Sequence, residues 1–169
     1  TGNWTFVSAA GNGLQSNSPG LTYDQEPTLG KMATSNIGNN DGGHYYRNLA
    51  SSITIGTGGG QTPELWLSYL GQYTTMPNNT LGWLWLGNSG ANGLRFGVNN
   101  WDASGDNFWR LDPTSLGGSA IVTSIGSNSS TDLVVVKLAA ESGNTRATLY
   151  VDTDGVSGLL PTAAATYLI

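Results

Sequence analysis

Two stretches of this chain place carboxylates at a spacing that could hold a cation: Asp102 and Asp106 in NNWDASGDN, and Asp152 and Asp154 in VDTDG. Both contain Gly and read as loops, and hard carboxylate oxygens are what Ca2+ takes as ligands. Neither spacing completes a full calcium loop. The competing reading is that each Asp caps its own turn by accepting bonds from nearby backbone N–H groups. Ca2+ is therefore the one cofactor these residues could hold, and no motif requires a cofactor.

A second set of residues suits recognition of sugars. An aromatic face packs on the C–H groups of a pyranose while amide and carboxylate side chains fix its hydroxyls. Tyr73, Asn99, Asn100, Trp101, Asp102 and Trp109 flank turns, where exposure is expected, and form a candidate carbohydrate site. Trp66, Trp83 and Trp85 stand inside apolar runs and are expected in the core. Trp101 and Trp109 have the alternative of capping one end of the fold.

The residue pattern gives catalysis no support. The single His44 stands between Gly43 and Tyr45 with no nucleophile signature around it, and reads as an ordinary strand residue. The three Glu residues, Glu26, Glu64 and Glu141, lie far apart in the chain, so no paired-carboxylate motif is present. No enzymatic activity is expected.

The elements that must position these residues are strands. From Glu64 to Trp101 three apolar or aromatic runs, Leu65–Leu70, Trp83–Leu86 and Leu94–Val98, are separated by clusters of Gly, Asn, Pro and Thr. That is the pattern of successive antiparallel strands joined by turns. A strand has a period of two, so Trp83 and Trp85 share one face and Leu84 and Leu86 the other. Both faces are apolar, which predicts a central strand.

Other expected strands are Asn3–Ser8, Leu21–Tyr23, Lys31–Ser35, His44–Leu49, Ser52–Ile55, Phe108–Leu111, Ala120–Ile125, Asp132–Ala139 and Thr145–Val151. Asp132–Ala139 is apolar on both faces and is expected to be central. Gly11–Gly20 reads as a loop. No window offers a capped helical stripe.

Composition agrees. The 169 residues include 25 Gly, six Trp and seven Tyr but only 10% charged residues, a balance that favours many short strands and one domain, 1–169. Six Lys plus Arg lie scattered in a chain of net charge −5, so no basic face exists for nucleic acid. No apolar run reaches the eighteen residues of a membrane span. The low-charge surface rich in Asn, Ser, Thr and Gly fits an extracellular or cell-surface protein, and Thr1 in place of Met fits removal of a secretory leader.

The order RNLASS, ELWLSYL, LGNSGANGLRFGVNNW, LVVVKL, ATLYVDTDG, over roughly residues 20 to 155, resembles the bacterial laminin-G-like, concanavalin A-like jelly-roll domain. The resemblance implies two antiparallel sheets packed face to face. It implies sugar binding on a concave sheet or edge loops, as in the lectin and glucanase branches of that fold. The Glu-x-Asp-x-Glu strand motif of its glycosidases is missing here. Family members end in a strand that returns beside the first, whereas only VSGLLPTAAATYLI follows VDTDG in this chain. Either Ala165–Ile169 is a short closing strand or an edge is left open.

The expectation is an all-β, two-sheet antiparallel jelly-roll sandwich with little or no helix, acting as a non-catalytic extracellular module for carbohydrate binding or adhesion. Its partner would be a glycan or cell-surface polymer. The alternative is a structural subunit of a filament or surface assembly whose partners are copies of itself, joined by strand addition through 1–10 or 162–169.

Overall fold

The computed structural model describes residues 5–8, 14–17, 22–23, 26–27, 32–35, 44–46, 51–73, 80–87, 93–100, 108–127, 131–153 and 161–169. Its side chains are described from residue 51 onward, other than 80–83 and 99–100. Six short strands come first: β1 (Thr5–Ser8), β2 (Leu14–Asn17), β3 (Thr22–Tyr23), β4 (Glu26–Pro27), β5 (Met32–Ser35) and β6 (His44–Tyr46). They form three antiparallel pairs, β1 with β6, β2 with β5 and β3 with β4.

Eight further strands make the body: β7 (Glu64–Gly71), β8 (Thr80–Gly87), β9 (Gly93–Asn100), β10 (Phe108–Asp112), β11 (Ile121–Gly126), β12 (Asp132–Glu141), β13 (Asn144–Asp152) and β14 (Ala165–Leu168). They build two four-stranded antiparallel sheets, ordered β11-β10-β9-β8 and β14-β13-β12-β7. Among the described residues the only helix is a 3-10 turn, Thr114–Leu116. The all-β, two-sheet antiparallel architecture is therefore the one expected.

Strand alternation sets the core. Leu94, Phe96 and Val98 of β9 point inward beside Trp109 and Leu111 of β10, and meet Val134 and Val136 of β12, Ala147, Leu149 and Val151 of β13 and Ala165 of β14. Removing this apolar area from water stabilises the fold by roughly 25 cal/mol per Å2. A buried polar contact also joins the sheets: Trp109 Nε1–H donates to Oδ2 of the fully buried Asp132 at 2.7 Å. Gly71, the register partner of Asp132, makes room for the indole, since a Cβ there would lie 2.8 Å from Trp109 Cη2.

Several expectations are corrected. β8 stands at the end of its described sheet rather than in the middle, and β7 leaves its sequence neighbours to pair with β12 of the other sheet. Ser52–Ile55 forms no strand. Thr54 and Gly56 exchange backbone bonds with Thr62, and Gln61 Oε1 accepts from Gly58 N, so a local loop takes those groups. Leu14–Asn17, expected within a loop, finds a ladder partner in Met32–Ser35. At the C-terminus β14 pairs with β13 of its own chain, with Leu149 opposite Ala165 and Arg146 opposite Leu168. This segment is a closing strand, and it would have to leave that ladder to join a neighbour.

Two predictions follow from the pinned core. Asp132→Ala, which leaves the buried indole N–H without this acceptor, lowers stability by about 1–3 kcal/mol, read as a fall in the urea midpoint; an unchanged midpoint would mean the bond does not hold the sheets. Burial pushes the Tyr73 hydroxyl up to about 12 and raises that of Tyr69 as well. A group that ionises later folded than unfolded contributes stability below its ordinary pKa that is lost above it. The urea midpoint should therefore fall between pH 10 and about 12, and less steeply in Tyr73→Phe.

Candidate functional site

The register of each ladder fixes which side chains leave the core. On β7 Tyr69 packs against the core and Leu65 and Leu67 share its face, so Glu64, Trp66 and Ser68 point outward; across the ladder Lys137 stands opposite Trp66 and Val135 opposite Ser68. On β13 Tyr150 lies opposite Val135 and Thr148 opposite Lys137. The outer face of the β14-β13-β12-β7 sheet thus gathers Glu64, Trp66, Ser68, Lys137, Thr148 and Tyr150.

These side chains are organised. Trp66 is 44% exposed, and its ring stacks with Tyr150 at 6.2 Å between centroids and 19° between planes. The two rings reach toward each other over β12, which accounts for Val135 being only 8% exposed although it faces away from the core. Lys137 Nζ lies 4.8 Å from the centroid of Trp66 and 2.6 Å from Glu64 Oε1. Trp66 Nε1–H donates to Glu64 Oε2 at 3.2 Å. The bond from Lys137 first, and that from the Trp66 indole second, hold the Glu64 carboxyl below its ordinary range. On the same face Arg146 is paired with Glu141.

The result is an indole held from two sides with a ring surface open to solvent, beside a cation whose charge is neutralised by a carboxylate. Such a surface can stack on the C–H face of a sugar and offers the exposed Ser68 hydroxyl on the same strand for its polar edge. No acid–base relay lies within it.

Of the residues expected from the sequence to hold sugar, Trp109 and Tyr73 are placed in or beside the core. Trp109 is fully buried, with its N–H committed to Asp132, and has no ring face to offer. Tyr73 packs edge-on against Trp109, 5.3 Å between centroids, at the margin of the core. Asn99 and Asn100 close β9 with side chains outside the described residues, as are Trp101, Asp102, Asp106 and Asp154 entirely. Asp152 ends β13 opposite Leu133. Apart from Asp152, the two candidate calcium loops thus lie outside the described residues. Trp66 and Trp85, expected in the core, are both exposed on outer faces.

The overlooked signal for Trp66 was Lys137. A lysine alternating with Leu133 and Val135 marks that side of β12 as the one facing water, and the strand opposite Lys137 presents Trp66. No family model, curated protein or solved structure matches the chain.

Glu64 should titrate below 4.5, with its ion pair lost as pH falls through that lowered value, and in Lys137→Met its midpoint should move back up. A side-chain carboxyl NMR titration of both proteins reads this directly; identical midpoints would mean that Lys137 does not hold the carboxylate.

Proposed function

We propose that this protein is a non-catalytic extracellular module that binds neutral carbohydrate through the outer face of the β14-β13-β12-β7 sheet. The observation that carries this reading is Trp66, 44% exposed yet fixed by Tyr150, Lys137 and Glu64. A ring already ordered before binding loses little conformational freedom when a sugar settles on it. Because the platform sits on strands, its geometry is set by the ladders rather than by a loop.

Charge argues for a neutral ligand. Lys137 is committed to Glu64 and Arg146 to Glu141, and the chain as a whole carries −5. An acidic polymer would have to displace these pairs against a repulsive field. The laminin-G-like resemblance of the sequence and its low-charge, Asn- and Ser-rich composition point to the same extracellular setting.

Affinity gel electrophoresis tests the proposal, with mixed-linkage β-glucan, xyloglucan and galactomannan as neutral polymers and alginate and polygalacturonate as anionic ones. At least one neutral polymer should retard the protein and neither anionic one should. Trp66→Ala should weaken the retardation by about tenfold or more, the loss of a ring contact worth ~1.4 kcal/mol. Normal migration through all three neutral polymers overturns the reading.

A further inference from the structure

We propose that the opposite outer face, on the β11-β10-β9-β8 sheet, carries a second neutral-carbohydrate site built on Trp85, so that one chain is bivalent and bridges two polymer strands. The inference rests on the reading of the Trp66 face as a sugar platform.

The observation is that one constellation occurs twice. On β9 the inward residues are Leu94, Phe96 and Val98, so Gly93, Arg95 and Gly97 face out. Trp85 of β8 stands directly opposite Arg95, and Asp112 of β10 stands directly opposite Arg95 on its other side. The three side chains form one row across three strands. The Arg95 guanidinium lies 5.7 Å from the Trp85 ring centroid and 3.3 Å from Asp112 Oδ2. The other sheet has the same parts in a different order: Trp66 stands opposite Lys137 in direct register, and Glu64, from the strand of Trp66 itself, neutralises the lysine.

The second indole is seated by a different device. A Cβ on Gly93 would fall on Trp85 Nε1 and on the Leu86 carbonyl oxygen, so glycine lets the ring lie against the sheet. The Gly93 backbone is itself fixed, its N–H donating to Ser115 Oγ at 3.0 Å. Arg95 Nη2–H donates to Thr114 Oγ1, and Thr114 N–H donates to Asp112 Oδ1 at 2.8 Å, which locks the cation beside the ring. With these contacts made, Trp85 remains 38% exposed. In the row of Trp85 the Asp112 carboxylate is buried and the indole is the exposed member.

Both faces therefore present an ordered indole beside a neutralised cation, and both select an uncharged, ring-shaped partner. The outer faces of a two-sheet sandwich point away from each other, so no single short glycan reaches both. Two separate strands of polymer do, and linking them converts two weak contacts into a cross-link.

The test uses the three neutral polymers named above. Calorimetric titration with oligosaccharides cut from each should give two sites per chain in the wild type and one in either Trp66→Ala or Trp85→Ala. Light scattering of dilute polymer should rise on adding wild type and fail to rise with either variant. Trp85→Phe, which keeps a ring face, should restore both readouts, and thermal melts confirm that each variant is folded. One site in the wild type, or scattering that rises as strongly with folded Trp85→Ala, overturns the second site and leaves the Trp66 reading intact. Binding to none of the three polymers overturns both.

Discussion

A buried bond between an indole and a carboxylate joins the two four-stranded sheets of this sandwich in its core. Trp109 comes from β10 of one sheet and Asp132 from the first residue of β12 in the other, and the two meet at 2.7 Å in the core. Burying a carboxylate is costly, and a well-aligned donor offsets part of that cost. Gly71 beside Asp132 provides the space the ring needs. With Trp109 and Asp132 turned inward, the period of two does the rest. Leu111 follows Trp109 into the core, and Val134 and Val136 follow Asp132. The intervening residues, Asp112 on β10 and Lys137 on β12, are sent outward, and their ladder partners Arg95 and Trp66 go with them.

The outward constellations are thus a consequence of the inward one. Cross-strand partners in direct register are the closest neighbours a sheet provides, and pairs of an aromatic and a cation there stabilise the ladder modestly. That contribution would be similar with a smaller ring or with the indole fully covered. What the ladder alone does not call for is the exposure of two tryptophans, each held by a cation and each cation neutralised by a carboxylate. Fixing the ring and cancelling the charge are the two features on which the proposal of an uncharged partner rests.

Much of the fold was legible in the sequence. The long runs of β7, β12 and β13 read as strands because each carries four or more apolar or β-branched residues, and β9 because Leu94, Phe96 and Val98 alternate between turn formers. Pairing was less legible, since β7 meets β12 across more than sixty residues of chain and nothing local encodes that choice. The short strands β2 and β4 look like loop because their ladders override Gly-, Asn- and Pro-rich surroundings. The tryptophans were misassigned for a specific reason. In Trp83–Leu86 both faces are apolar, so hydropathy cannot say which is inside, and only the register against β9 decides. GLRFGVNN holds that information: its Leu, Phe and Val alternate with Gly93, Arg95 and Gly97, and Trp85 lies on the side of the arginine.

Indole chemistry separates the three tryptophans whose side chains are described. Trp109 and Trp66 each donate their N–H to a carboxylate, the first to Asp132 in the core and the second to Glu64 at the surface. The same bond has opposite uses. In the core it satisfies a donor that could not otherwise be buried, and the ring becomes packing. At the surface water could satisfy the donor equally well, so the bond adds little stability, but it fixes the rotation of the ring. For Trp85 that task falls to Gly93, against which the ring lies, and to the locked guanidinium of Arg95. A ring held on a ladder is in place before any partner arrives, so little conformational freedom is lost when it is contacted. Among the described residues, the exposed and fixed indoles therefore lie on the most regular structure, the two four-stranded sheets.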